Sequence, residues 1–235
     1  MKKVFLGLSA VGLIAFTSCE KKEAVKVTDS QEVATASEEA VMYQADTSTS
    51  TVDWRGYKIY EGETEEQGHH GIMKLSSGTI AVENNKIVSG DFSIDSNSIE
   101  SHDLNESPDD KAKLDGHLRS PDFLDAEKFP NATFHITSVN QIEGEYNSEI
   151  SGNFKMREIE KNITFKANIG IDGDKMTIAS EEFTINRQDF GITFKGGGNS
   201  IIKDNVTLRV NVQANKVAGA DAIVVPAEET VVEVQ

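Results

Sequence analysis

The sequence predicts an all-β fold: an antiparallel β-barrel of about eight strands with a short helix and a long loop. The clearest sign is alternation with a period of two, as in Val206–Ala214, where every even position is apolar and every odd one polar. Similar runs recur along the chain, separated by turn signals such as Asn84-Asn85 and Glu143-Gly144. Strands with one apolar face must bury that face, and closing the sheet into a barrel also removes its edges. A two-sheet sandwich has the same alternation and stays an alternative.

The individual elements follow from the same pattern, taken in chain order. Strand candidates, eight or nine in number, are residues 51–60, 70–76, 78–83, 86–95, 132–142, 145–156, 160–171, 175–186 and 200–214. Helix is expected around Asp109–Leu118, with short turns near Pro121–Ala126 and Arg187–Phe190. The folded domain therefore covers residues 49–216, with a flexible tail over residues 217–235.

The N-terminus has the features of an exported, lipidated protein. Met1-Lys2-Lys3 precedes an apolar run too short to span a bilayer, which is typical of a signal peptide over residues 1–18. Phe16-Thr17-Ser18-Cys19 resembles a bacterial lipobox, so Cys19 is expected to carry the acyl chains, palmitate among them. An ordinary signal peptide with a bystander cysteine is the alternative. The expected location is the cell envelope, with the outer membrane favoured over the inner because Glu20 rather than Asp follows the cysteine.

Composition limits the partners. Residues 19–48 are small, polar and acidic, which predicts a disordered tether between the acylated cysteine and the domain. The formal net charge of −16 excludes a nucleic-acid role, since phosphate backbones require a basic surface. The domain is expected in the periplasm or at the cell surface. The sequence leaves the oligomeric state open, a dimer included.

Several motifs occur in order and together resemble the YceI-like family. Residues 89–99 (SGDFSIDSNSI) are similar to its GxFxIDxxSI element, and residues 114–125 (LDGHLRSPDFLD) to its HLxSxDFFD signature. Residues 129–134 (FPNATF) and 183–192 (FTINRQDFGI) resemble the YPxxTF and FxIxRxxFGI elements that follow. The chain departs from the family at Glu158-Ile159-Glu160, where Gly-Val-Thr is usual.

The resemblance implies a lipocalin-like eight-stranded barrel whose lumen accepts a long isoprenoid chain. The implied ligand is a polyisoprenoid or quinone-like lipid, with no other cofactor, held for storage or transfer in the envelope. Inward positions expected to bind it are Phe92, Ile94, Phe134, Ile136, Phe154, Met156, Phe165, Ile169, Ile178, Phe183 and Ile185. Ordinary core packing is an equally open interpretation of each. The alternative function is a filled barrel that acts as an envelope stress or protein-interaction module without a ligand.

The sequence contains few residues in patterns typical of an enzyme active site. His69 and His70 are adjacent on a strand candidate and point to opposite faces, so they cannot both bind one metal from that strand. His117 is expected to orient its loop through hydrogen bonds. Gly196-Gly197-Gly198 lacks the Lys-Ser/Thr of a phosphate-binding loop. The sequence thus predicts a non-enzyme without a metal site; a lipid hydrolase would require a catalytic pair that the residues do not offer.

Overall fold

The computed structural model describes residues 23–218, so the expected signal peptide, Cys19 and most of the expected tail lie outside the described residues. The strands of this part are β1 Val41–Ala45, β2 Thr51–Tyr60, β3 Gln67–Glu83, β4 Lys86–Asp95, β5 Glu100–Ser101, β6 Asn131–Gln141, β7 Ser148–Met156, β8 Ile159–Asp172, β9 Lys175–Ser180, β10 Phe183–Asn186, β11 Ser200–Ile202 and β12 Asn205–Lys216. One α-helix, α1, covers Pro108–Arg119, and 3-10 turns cover Ser96–Ser98 and Arg187–Phe190.

Eight of these strands form a closed antiparallel ring. Its order is β2, β3, β4, β6, β7, β8, β9 and β12. The ring closes where β12 pairs with β2, from Thr207 opposite Arg55 to Asn211 opposite Thr51. The predicted all-β barrel is therefore confirmed, and closure excludes the two-sheet sandwich. The predicted helix is confirmed as well: Pro108 occupies its first turn, Asp109 and Asp110 face the positive end of its dipole, and Arg119 lies in the last turn.

The short strand β1 corrects the predicted start of the domain. Tyr43 pairs with Ile80 on β3, and Ala45 pairs with Ala214 on β12. A turn at residues 46–50, closed by the Ser50 N–H donating to the Asp46 carbonyl at 2.9 Å, joins β1 to β2. The two strands thus act as one interrupted strand of the barrel. The expectation of a disordered tether through residue 48 is wrong here. The segment pairs with the longer strands β3 and β12 and buries the side chains of Tyr43 and Ala45.

The chain before β1 also contacts the barrel. The Val25 N–H donates to the Thr184 carbonyl at 2.7 Å, and Thr28 and Asn162 exchange two backbone hydrogen bonds of 2.9 and 3.0 Å. The Gln31 backbone exchanges hydrogen bonds of 2.9 and 2.7 Å with the side-chain amide of Asn153. Asn153 and Asn162 occupy outward positions of β7 and β8, yet both are buried. Residues 25–31 therefore lie across the outer wall, and the prediction of disorder is wrong for them too.

Candidate functional site

The inside of the barrel is filled at the end where β1 lies. Tyr43, Ile80, Ala167, Met176 and Ala214 meet there, and each is at most 4% exposed. The Tyr43 hydroxyl donates to the Gly173 carbonyl at 2.8 Å, so even the polar atom of this cluster has a partner. Close packing of this kind leaves no room for a ligand in this layer of the barrel.

The opposite half of the barrel is hollow. A cavity of about 200 Å³ lies between the strands there and is lined almost entirely by carbon atoms. Its polar lining residues are Trp54, Tyr57, Arg187 and Lys203. The sequence left open whether the barrel is packed or hollow; the protein has one half of each kind. A cavity with these walls favours an apolar occupant.

Ten of the eleven predicted lumen residues line this cavity. They are Phe92, Ile94, Phe134, Ile136, Phe154, Met156, Phe165, Ile178, Phe183 and Ile185. Their contact with a ligand stays a prediction. The exception is Ile169, which pairs with Ile178 but lies further along β8, past the buried Ala167, where it lines a separate cleft with Ile87 and Val139. The filled end separates Ile169 from the cavity.

Sequence reasoning missed lining residues on several strands that it had recognised, β2 and β12 among them. Val52 and Trp54 on β2, and Leu208 and Val210 on β12, face the cavity. In β12 the period-two pattern already placed Leu208 and Val210 on the same apolar face, so this signal could have identified them as lining residues. Phe123 also lines the cavity but lies in a loop, where no periodic signal exists.

Aromatic rings shape the cavity wall. The Phe165 and Phe183 rings stack with centroids 4.6 Å apart, and Phe134 lies against Phe165 at 5.6 Å. The Phe134 ring also covers Gly152, where a Cβ would come within 2.7 Å of three ring carbons. Gly152 therefore gives Phe134 the space in which it packs, and the chain needs glycine at this point for close approach rather than for flexibility.

Helix α1 and two loops form a roof over the hollow end. Leu118, Phe123, Leu124 and Ile192 contribute to the cavity lining from these segments. Arg119 fixes the helix by donating to the carbonyls before β5, with the Ile99 oxygen at 2.7 Å. The roof is thus made of elements that the ring itself does not contain.

His117 joins the two parts of the roof. Its ring lies edge-on to Phe123 at 5.0 Å and to Phe194 at 5.1 Å, and its Nε2 is 3.0 Å from Asp122 Oδ2. The Ser120 hydroxyl donates to the His117 carbonyl at 2.7 Å. The expected role of His117 in orienting its loop agrees with these contacts.

Arg187 is a buried cation at the cavity wall. Its guanidinium donates to the carbonyls of Ile192 at 2.7 Å and Lys203 at 3.0 Å, and to the Asp204 carboxylate at 3.0 Å. Burial lowers the pKa of Arg187 and Asp204 opposes that change, but an arginine stays charged in either case. Lys203 lies 3.3 Å from a Glu66 carboxylate oxygen. Both cationic lining residues thus face carboxylates of the protein itself.

The histidines lie outside the cavity, each beside a carboxylate. His69 Nδ1 is 2.7 Å from Asp103, and His135 Nδ1 is 2.6 Å from Asp91. Among residues 23–218, no three His, Cys, Asp or Glu side chains come together in a way that could hold a metal ion. Over the same residues, no helix has the length and apolar character needed to cross a membrane.

A closed eight-stranded antiparallel barrel with an apolar internal cavity is a lipocalin-like barrel. The profile of the YceI-like domain matches residues 43–214, which is most of the chain. The protein belongs to this family. The matched region begins inside β1, in agreement with the corrected start of the barrel.

Curated relatives agree with this assignment. The chain is 36% identical over 92 residues to a UPF0312 protein of Pseudomonas putida, covering 37% of this chain and 46% of that protein. It is 38% identical over 87 residues to protein YceI of Salmonella arizonae, covering 35% and 44%. The matches thus span less than half the length of these curated relatives.

Two solved structures are similar to this chain. BcnA of Burkholderia cenocepacia matches with a TM-score of 0.52 and 17% identity, over 73% of this chain and 99% of BcnA, which supports the fold alone. A YceI protein of Campylobacter jejuni matches with a TM-score of 0.45 and 17% identity, over 92% of this chain and 99% of that one.

Proposed function

We propose that this protein binds an isoprenoid-type lipid in the hollow half of the barrel, for storage or transfer in the bacterial envelope. The observation that carries the proposal is the apolar cavity itself, which is enclosed by the ring, closed by packing at one end and roofed at the other. Burial of a hydrocarbon chain is favourable by about 25 cal/mol for each Å² of apolar surface that leaves water. Because the cavity walls are apolar, this burial is the main favourable interaction that they provide. The role is binding rather than catalysis.

The proposal includes a membrane anchor. Acyl chains on Cys19 would hold the protein in the envelope, with the outer membrane favoured and the domain in the periplasm or at the cell surface. Mass spectrometry of the protein from bacterial membranes tests this: the N-terminal peptide should begin at acylated Cys19, and a Cys19→Ser variant should leave the membrane fraction. An unmodified Cys19, or a variant that stays in the membrane, would contradict the anchor.

Neighbouring positions on β12 allow a matched test of lipid binding. Leu208 faces the cavity, whereas the next residue, Arg209, is exposed on the outer wall. Leu208→Trp should fill part of the cavity and remove most of the lipid that co-purifies with the protein, as measured by native mass spectrometry. Arg209→Trp places the same ring outside and should retain the lipid of the unaltered protein.

The outcomes separate two functions. If the unaltered protein repeatedly carries no lipid and binds none that is added, the lipid proposal fails. The filled half of the barrel supports the alternative, a stress or interaction module that needs no ligand. A complementation experiment would support that alternative. In it, the Leu208→Trp variant would restore the normal envelope to a strain that lacks the protein as fully as the unaltered protein does.

A further inference from the structure

Residues 25–31 form a strap that joins two strands of the described barrel which are not paired with each other. β8 pairs with β7 and β9, and β10 pairs with β12. The strap bridges the gap: the Val25 N–H donates to the Thr184 carbonyl of β10, and Thr28 exchanges two backbone hydrogen bonds with Asn162 of β8. We propose that the strap orients the anchored protein, with the hollow half of the barrel towards the membrane and the packed end, where β1 lies, away from it. This inference rests on the membrane anchor of the proposed function.

The strap is part of the folded domain. Val25 and Val27 pack against the hydrophobic core. Three polar residues that face outwards beneath the strap, Asn153, Asn162 and Thr184, are each at most 4% exposed. Residues of these types are mostly exposed in proteins, so their burial shows how closely the strap covers the wall.

The strap meets the wall at the level of the hollow half. Thr184 lies between Phe183 and Ile185 on β10, and both of these residues line the cavity. Asn162 on β8 directly precedes Ile163, which lines the cavity as well. The N-terminal chain therefore joins the barrel beside the cavity and not at the packed end.

The strap shortens the link between the expected anchor and the barrel. Val25 follows Cys19 by six residues, and at about 3.3–3.6 Å per residue a fully extended chain of this length reaches about 20 Å. If the barrel held the chain only from Val41, where β1 starts, the same calculation would give about 75 Å. The longer link would permit any orientation of the barrel on a membrane, whereas the shorter link does not.

The shorter link reaches the hollow end of the barrel but not the packed end. Thr184 pairs with Thr207, and β12 continues for nine residues from there to Lys216, which pairs with β1 at the packed end. At about 3.3 Å per residue and a strand tilt of about 40°, these residues span roughly 23 Å along the barrel axis. In the opposite direction, β10 ends at Asn186, which is only about 5 Å further along the axis. A bilayer against the packed end therefore lies beyond the reach of the anchor, and a bilayer beside the hollow half lies within it.

Energy transfer to labelled lipids measures the orientation. Acylated full-length protein is reconstituted into vesicles of phosphatidylethanolamine and phosphatidylglycerol that contain a rhodamine-labelled lipid as the acceptor. Acylation consumes the thiol of Cys19, the only cysteine of the chain, so one introduced cysteine can carry a donor dye. Gln188→Cys, just after β10, labels the hollow end, and Gln141→Cys, at the end of β6, labels the packed end; both positions are exposed. The acceptor lipid should cause a greater loss of donor emission at residue 188 than at residue 141.

A lengthened link is the control for the strap itself. Twelve Gly and Ser residues inserted between Glu23 and Ala24 leave the strap unchanged but add about 40 Å of reach. The difference between the two labels should therefore largely disappear. A difference that persists in the insertion variant would assign the orientation to the barrel surface and overturn the role of the strap.

The remaining outcomes separate the orientation from the anchor. Equal loss of emission at the two labels in protein with the natural link, or a greater loss at residue 141, would overturn the proposal. Glu158→Cys at the hollow end and Lys86→Cys at the packed end, both exposed, repeat the comparison if a glutamine variant fails to fold. Protein that does not bind the vesicles at all would instead count against the membrane anchor of the proposed function.

Discussion

Replacing Arg187 by lysine should destabilise the protein severely although the charge is kept. The guanidinium of Arg187 ties the turn after β10 to the connection between β11 and β12. It donates to the carbonyls of Ile192 at 2.7 Å, Ile202 at 3.3 Å and Lys203 at 3.0 Å, and to Asp204 at 3.0 Å. A lysine ammonium is a compact group at the end of a flexible stem, and it cannot reach acceptors on three sides at once.

The magnitude follows from burial. The Arg187 side chain is only 3% exposed. In the lysine variant, the backbone carbonyls that accept from the guanidinium would therefore lose their donor, and water could not replace it. Hydrogen bonds to charged groups contribute about 1.5–3 kcal/mol each, and losing two of them gives a decrease of roughly 3 kcal/mol in the free energy of unfolding. Asp204 adds little to this figure, because its carboxylate is 45% exposed and water can replace the guanidinium there.

Urea unfolding followed by circular dichroism measures the effect, with Arg209→Lys as the matched control. Arg209 forms an ion pair with Glu182 at 3.2 Å, and both side chains are more than 40% exposed. The same substitution there should change the free energy of unfolding by less than about 1 kcal/mol. A loss below about 1 kcal/mol for Arg187→Lys, or equal losses at the two sites, would refute the reasoning from burial.

Three further changes test other parts of the protein. Gly152→Ala should push the Phe134 ring into the cavity, lower stability by about 1–3 kcal/mol in thermal unfolding and reduce the lipid seen by native mass spectrometry. Asn153→Ala removes both hydrogen bonds to the Gln31 backbone, so limited proteolysis should cut the N-terminal segment faster, with about 1–3 kcal/mol of stability lost. Asp103→Asn should lower stability by about 0.5–1.5 kcal/mol at pH 7, and urea unfolding should show the difference shrinking below about pH 4.

The pH dependence has a definite direction. Partial burial raises the pKa of Asp103, but hydrogen bonds from the His70 backbone and the His69 ring lower it by more, so the folded-state pKa lies below the ordinary value. The carboxylate therefore stabilises the fold above the unfolded-state pKa, and this contribution is lost as the pH falls through the folded-state pKa. A difference between Asp103→Asn and the unaltered protein that stayed constant down to pH 2 would contradict this assignment.

The controls for Gly152→Ala and Asn153→Ala are the same substitutions at exposed positions. Gly116 lies in α1 with nothing within 4 Å of an added Cβ, so Gly116→Ala should stabilise the protein by up to about 1 kcal/mol. Asn140 is exposed on β6, and Asn140→Ala should change stability by less than about 0.5 kcal/mol. Equal effects of the two glycine substitutions, or of the two asparagine substitutions, would show that close contact is not the cause.

The ring of strands was predictable because its signal is local. In β12 the apolar face can be recognised within nine residues, and the structure uses that face as the alternation predicts. The breaks between strands were harder to predict from the sequence. The predicted strand 175–186 is divided into β9 and β10, and the predicted strand 200–214 into β11 and β12. Such breaks depend on how neighbouring strands bend around the barrel, which no local pattern records.

Segments held by distant partners escaped prediction. β1 contributes only Tyr43 and Ala45 to the interior, and acidic and hydroxyl residues surround it in the sequence. Its strand character comes from β3 and β12, which lie far along the chain. The N-terminal segment at residues 25–31 is held in the same way, by the side chain of Asn153 and by backbone groups of Asn162 and Thr184. In the sequence, outward polar residues such as these indicate an ordinary solvated wall.

Alternation also could not divide the barrel into a filled and a hollow half. It says which side chains point inward, not whether their volumes fill the space at each level. Small residues decide this locally: a Cβ at Gly90 would come within 2.9 Å of Ile136, and one at Gly78 equally close to Ala45 and Phe92, so neighbouring side chains already fill those gaps. The sum over a whole layer depends on residues from eight strands, and only the folded arrangement brings them together.

The division into halves gives the stability of the fold and the proposed lipid binding separate places in one barrel. The layer around Tyr43 and Met176 is fully packed and can support the fold whatever occupies the other half. Packing fills the barrel at the level of Tyr43 and Met176, so the proposed lipid is expected to enter and leave at the roof, where His117 bridges Phe123 and Phe194. These contacts join α1 and its loop to the segment after residue 190, and they can separate without breaking a strand pairing of the ring. Movement of the roof, rather than opening of the barrel wall, is therefore the step that should control exchange of the proposed lipid.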